Sequence, residues 1–204
     1  MAGEDFYLIT NLLCMYFYHH VSGISFRRLQ ESDLPKLCQL RADSWQDTHS
    51  SVVPSLEQEK EWYAKLTDSD LILVGKSNDE EIGIATFHKI DHFNKNLLIG
   101  GYLFNEARAR GYAKDAFAAG VDFSFEYLGM HRIYAEVLES NKKALMLDLG
   151  YLGFKKEGVK RQHIFKCGKW LDSITIGMLY DEWANCERVK SYEGRCCGSE
   201  IRTT

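Results

Sequence analysis

The sequence predicts an α/β (α+β) fold, in which a mixed and mostly antiparallel central sheet is flanked by helices. Three observations lead there. Some segments repeat apolar residues every three or four positions while others are short β-branched runs, so both helices and strands are present. Three strand-like runs between residues 71 and 104 are separated only by short polar turns, which implies an antiparallel meander. After them a long helical pattern, a strand, a shorter helical pattern and two strands follow in turn.

The elements are predicted in order along the chain. Residues 24–29 form a short strand, and Ser32 and Asp33 then offer a helix cap, with Pro35 tolerated in the first turn. Leu34, Leu37, Cys38, Arg41 and Trp45 follow at helical spacing. A loop leads to Ser55, which with Gln58 makes a capping box for a helix carrying Leu56, Trp62, Tyr63 and Leu66. Strands are expected at residues 71–74, 82–90 and 97–104, with turns at 79–81 and 94–96. Ala113, Ala116, Phe117, Gly120, Val121, Ser124, Tyr127 and Leu128 form one buried helical face, which Gly129 ends. A strand at 132–138 follows, then a helix capped by Ser140 and reaching about Leu149, then strands at 154–165 and 170–179 around a turn at 167–169.

Length and composition set the frame. With 204 residues, 45% of them hydrophobic and 26% charged, the chain suits one domain with modest extensions. We place these at residues 1–23 (an apolar N-terminal extension), 24–183 (the domain) and 184–204 (a polar tail). A formal charge of −4 argues against a nucleic-acid partner and permits a cationic substrate. The apolar run at 7–18 is too short to span a bilayer, and no Lys or Arg precedes Arg27, so neither a membrane nor a secretory role is expected. That run is expected to pack on the domain or on a second copy, which leaves a homodimer open. The six cysteines, Cys14, Cys38, Cys167, Cys186, Cys196 and Cys197, contain no C-x-x-C pair and match no zinc spacing. They read as reduced thiols of a cytoplasmic protein without a metal.

The stretch that carries chemistry is 97–117, LLIGGYLFNEARARGYAKDAF. A strand ends, Arg108, Ala109, Arg110, Gly111, Tyr112 and Ala113 make a turn, and a helix starts. At such a start the first backbone N–H groups lack internal partners and sit at the positive end of the helix dipole. Gly111 has no Cβ, so a ligand can come close, and Arg108, Arg110 and Lys114 add positive charge. Together these suit a pyrophosphate. Neither a P-loop nor a Rossmann fingerprint is present.

This turn, the order of elements and the later HRIYAEVLESNKKA stretch (131–144) resemble the GNAT superfamily of acetyl-CoA-dependent N-acetyltransferases. That family carries [QR]-x-x-G-x-[GA] after its fourth strand, filled here by Arg108, Gly111 and Ala113, and an Asn followed three residues on by Ala or Ser, filled by Asn141 and Ala144. The ending at 157–183 resembles the Rim-type branch, which acetylates protein N-termini, amino sugars, polyamines and similar amines. The resemblance implies a sheet splayed between its fourth and fifth strands and acetyl-CoA as co-substrate. It implies that the amides of residues 108–113 hold the pyrophosphate, and that Gly101 and Leu103 bind the pantetheine arm and acetyl carbonyl through their backbone. Asn141 meets that arm from the other side. The partner is an amine acceptor, either a small molecule or a protein N-terminus.

Acetyl transfer needs a base for the amine, a donor for the thioester oxygen and an acid for the sulfur. Where many family members carry a strand Glu, this chain has Leu98, which leaves Glu136, His88 and Asp91 as candidate bases. Where the family commonly has Tyr, seven residues after the Asn, this chain has Asp148, with Tyr151 as an alternative near the sulfur. Acidic and aromatic residues of the first two helices and their loop, Trp45, Asp47, His49, Glu57, Glu61 and Trp62, suit an ammonium. Because of Leu98 and Asp148, a silent acyl-CoA-binding protein or an interaction module on the same fold is the alternative expectation.

Overall fold

The computed structural model describes residues 17–19 and 21–191. Most of the apolar run at 7–18, together with Cys14, Cys196, Cys197 and the tail beyond 191, lies outside the described residues. Eight strands form one sheet: β1 (Phe17–His19), β2 (Ile24–Arg28), β3 (Leu71–Ser77), β4 (Glu80–Asp91), β5 (Asn96–Leu103), β6 (Arg132–Leu138), β7 (Lys155–Lys166) and β8 (Lys169–Leu179). Their order is β1-β2-β3-β4-β5-β6-β8-β7. Every neighbouring pair is antiparallel except β5 and β6.

Alternation along the strands gives the sheet two apolar faces, each needing a cover. On one face, Ile72, Val74 and Ile84 are covered by Leu34, Leu37 and Leu40 of α1 (Leu34–Asp43), with Leu56 and Trp62 of α2 (Leu56–Ala64) beside them. On the other, Phe87, Leu97, Ile99, Ile133, Val137 and Ile176 pack against α4 (Ala113–Asp122) and its extension. Phe123 stands against Phe87 with ring centroids 5.3 Å apart.

The hairpin turns follow residue chemistry. Asn78 and Asp79 take φ of 48° and 64°, and Cys167 and Gly168 take 49° and 76°, as tight hairpin loops demand. The first turn therefore falls at 78–79, ahead of the expected 79–81. The Ser55 box forms as expected, with the hydroxyl accepting from the Gln58 N–H. At α1 the expectation fails: a 3₁₀ turn (Glu31–Asp33) comes first, and the Asp33 carboxylate binds the Gln30 N–H and the Arg27 guanidinium instead of capping the helix.

The shorter helix also differs. Its cap is Asn141, whose side chain accepts from the Ala144 N–H, rather than Ser140. It runs as α5 (Lys142–Leu145), widens into a π-helical stretch (Met146–Leu152) and stops at Gly153, with φ of 91°. Gly150 does not end it, because burial of Leu152 and Phe154 draws the chain onward. Beyond residue 179, where only a polar tail was expected from 184 on, lie α6 (Tyr180–Ala184) and α7 (Glu187–Lys190).

Candidate active site

The parallel pairing of β5 with β6 covers only Asn96 with Arg132, Leu97 with Ile133 and Leu98 with Tyr134. Beyond these, β5 stays with β4 as far as Leu103, and β6 stays with β8 as far as Leu138. The two strands part, and the backbone groups of β5 past Leu98 have no strand partner on the β6 side. Glycines let β4 and β5 pack closely here: a Cβ at Gly83 would stand 2.2 Å from the Tyr102 carbonyl oxygen, and one at Gly101 would stand 3.0 Å from that of Ile84. Under this part of β5 a narrow apolar recess of about 30 Å³ is lined by Ile99, Gly101, Leu103, Ala116 and Phe117.

Past Leu103 the chain makes α3 (Asn105–Ala109), turns, and enters α4. Gly111 holds φ of 83° with nothing within 4 Å of a would-be Cβ, so its conformation excludes side chains while the space in front stays open. The N–H groups of Arg108, Arg110, Gly111 and Tyr112 are used internally, by the carbonyls of Phe104, Glu106, Arg108 and Ala107. Just beyond, in the first turn of α4, the N–H groups of Ala113, Lys114 and Asp115 find no acceptor among the described residues, and no side chain caps them. Two of the expected cations are engaged elsewhere. Arg110 makes a two-pronged pair with Glu80 at 2.5 and 2.6 Å, and Arg108 donates to Ser44 Oγ at 2.5 Å. The Lys114 ammonium lies 4.8 Å from the Tyr151 ring centroid, which places Tyr151 beside the α4 N-terminus.

The opposite lip is β6 and α5. Glu136, Leu138 and their β8 opposites Thr175 and Ser173 share the sheet face covered by α1 and α2. Burial works to raise the Glu136 carboxyl, but the Lys160 ammonium, 2.5 Å away, wins and holds it below the usual carboxylate range. Asp148 lies in the π-helical stretch that continues α5, buried, and its carboxyl makes no hydrogen bond to a described residue. Desolvation alone pushes it up to about 7. The other candidate bases are committed elsewhere: His88 Nδ1 contacts Asp70 at 2.7 Å, and Asp91 accepts the N–H groups of Phe93 and Asn94 in the β4–β5 turn.

Residues 43–49 bridge the two lips. On the β5 side, Asp43 accepts from Asn105 and Ser44 from Arg108. On the β6 side, the Asp47 carbonyl faces Asn141 Nδ2 at 3.5 Å, and His49 Nε2 lies 2.7 Å from Ser173 Oγ. The Lys166 ammonium donates to the carbonyls of Trp45 and Thr48. Ser44, Lys166 and Ser173 escaped the sequence reading, since a lone Ser or Lys in a strand or helix end carries no motif.

A split parallel pair followed by an uncapped helix start is a place for an extended, phosphate-bearing ligand. Residues 24–152 match the family model for an acetyltransferase (GNAT) domain. The chain belongs to the GNAT acetyltransferase family. It is similar to the uncharacterized N-acetyltransferase p20 of Bacillus licheniformis, at 27% identity over 174 residues, covering 81% of this chain and 97% of that one. The ribosomal protein uS5-alanine N-acetyltransferase of Escherichia coli is 25% identical over 140 residues, covering 68% of each chain. The crystal structure of spermidine N-acetyltransferase from Vibrio cholerae in complex with CoA and spermine shares the fold, with a TM-score of 0.74 at 22% identity over 80% of this chain and 99% of that one. This GNAT protein is an acetyl-CoA-dependent N-acetyltransferase. No helix among its described residues is long and apolar enough to cross a membrane.

Proposed function

We propose that this GNAT enzyme moves the acetyl group of acetyl-CoA onto a primary amine of a small molecule or a protein N-terminus, by direct attack in a ternary complex. The parting of β5 from β6 after Leu98 and Tyr134 carries this reading. An extended thioester arm laid in that gap meets free backbone groups at Gly101 and Leu103 on one side and Asn141 on the other. Its diphosphate reaches the turn of Arg108, Ala109, Arg110, Gly111, Tyr112 and Ala113. There the missing Cβ of Gly111 and the open N–H groups of the first α4 turn supply room and donors. Holding both substrates in one cleft supplies much of the rate by proximity.

Two carboxyl groups take different roles because their surroundings differ. Glu136, kept ionised by Lys160, offers the acceptor side a carboxylate oxygen that can accept a hydrogen bond from an ammonium. Asp148, which burial leaves about half protonated at neutral pH, donates its proton to the departing sulfur. The domain that does this work is residues 24–183, with β1 and α7 added to it, and its place is the cytoplasm, in keeping with the free thiols of Cys38, Cys167 and Cys186.

The test is calorimetric titration with acetyl-CoA, followed by thiol release with spermidine, glucosamine and an alanine-initiated peptide. Heat of binding and turnover of one amine are expected. Absence of binding at millimolar acetyl-CoA overturns the reading.

A further inference from the structure

We propose that His49 is the base that takes the proton from the acceptor nitrogen. The inference rests on the acetyl-transfer reading above. His49 ends the segment that bridges the cleft, and it is pinned from several directions. Its Nε2 lies 2.7 Å from the hydroxyl of Ser173, which is fully buried on the strand beside β6. Lys166 clamps the two carbonyls at Trp45 and Thr48, and Asn141 faces that of Asp47. The imidazole therefore stands on the acceptor face of the sheet, over the same lip as Glu136. In the tautomer that donates Nε2–H to the Ser173 hydroxyl, Nδ1 carries the lone pair, and no described residue hydrogen-bonds it.

The groups around it leave this task to His49. Glu136 on β6 is held by Lys160, and the pairing makes its carboxylate a poorer proton acceptor. Lys166 on β7 has committed its protons to carbonyls, and His163 on β7 is exposed. Of the charges that act on His49, Glu136 favours the imidazolium and His163, Lys166 and Lys160 oppose it, but burial is the largest influence. It keeps the imidazole below its ordinary range, so the neutral form, the one that accepts a proton, prevails at neutral pH. Asp47, on the same segment, acts on Lys166.

The proton balance closes. The acceptor arrives as an ammonium; one N–H bond breaks and its proton passes to Nδ1 and on to solvent. The freed lone pair forms the N–C bond at the thioester carbon. The second N–H proton goes to the same nitrogen of His49 as the C–S bond breaks, the sulfur takes a proton from Asp148, and the proton on His49 then passes through water to restore the Asp148 carboxyl. The products are the amide and the free thiol, with one proton released to water.

The experiment compares wild type, His49→Gln and His49→Gly across pH, using whichever of spermidine, glucosamine or the alanine-initiated peptide is turned over. In the wild type, kcat/KM is expected to rise with pH along a limb centred below histidine's usual value of about 6.5. In His49→Gln, kcat is expected to fall about a hundredfold and that limb to vanish, with acetyl-CoA affinity by calorimetry unchanged. Added imidazole is expected to restore part of the rate to His49→Gly, which a merely structural loss would not allow. A His49→Gln enzyme with the wild-type rate and profile overturns the proposal while leaving acetyl transfer intact. A wild type that neither binds acetyl-CoA nor turns over any of the amines removes both.

Discussion

Asp148 stands at the position where the resemblance to the family led us to expect a tyrosine, and its surroundings favour the protonated carboxyl. A carboxyl in water is ionised at neutral pH, but this one is buried, unpaired and pushed up to about 7, so about half of it still carries a proton there. The expected consequence is an alkaline limb in kcat, falling as pH rises through about 7. Asp148→Asn should lose that limb and about tenfold or more in kcat, measured by thiol release across pH. Asp148→Tyr is expected to recover part of the rate, since a phenol also delivers a proton to sulfur. Gly111 is the other residue whose chemistry can be read singly. Its φ of 83° suits glycine, and the space before it is empty. Gly111→Asp puts a strained backbone and a negative charge where the diphosphate docks, so calorimetry should show acetyl-CoA binding abolished.

At the scale of elements, the Arg108–Ala113 turn was legible in the sequence because it is a local device, complete within six residues, whereas the cap of the shorter helix was read one residue early, at Ser140, because Ser and Asn cap equally well and only the fold selects Asn141. The bridging segment was not legible. His49 meets Ser173 across 124 positions, and Lys166 meets Trp45 across 121, and no spacing rule reaches that far. The same holds for the docking of the C-terminal helices. Asp122, at the end of α4 and 1% exposed, accepts from Trp183 Nε1 at 2.7 Å, from Arg188 at 2.6 and 2.8 Å, and lies 3.0 Å from His19 Nε2. Burial works to raise this carboxyl, and the donors outweigh it. One side chain thus ties β1, α6 and α7 to the helix whose other end faces the proposed diphosphate site. Arg188→Met leaves a buried charge short of its main cation and should cost about 3 kcal/mol. Calorimetry should then show a melting temperature lower by on the order of 10 °C. Acetyl-CoA affinity at temperatures where the variant stays folded should not change, because the two ends of α4 are separate.

Across the whole molecule these groups oppose one another as pH changes. Asp148 binds its proton more tightly folded than unfolded. Its contribution to stability is therefore complete below the usual carboxylate range and declines as pH climbs to about 7. Glu59 and Glu126, also raised by burial, act in the same direction. Asp122, Asp33 and Glu81 are held low by their cations, so they stabilise above the usual carboxylate range and fail together in acid. His49, lowered by burial, stabilises at neutral pH and loses that contribution as pH falls through its folded value, which offsets part of the Asp148 effect. Asp148 is the largest single influence, about 4 kcal/mol between its two ends. The melting temperature should therefore peak on the acid side of neutrality, near pH 5, and decline toward pH 8. Scanning calorimetry of Asp148→Asn isolates the cause, because the amide cannot titrate. The variant should melt on the order of 10 °C higher than the wild type at pH 8 and close to it at pH 5. Equal melting temperatures at pH 8 would mean that Asp148 is solvated, and its role as the acid would go with them. A gain in stability paired with a loss in kcat would mark Asp148 as a carboxyl kept at a cost to the fold for its proton.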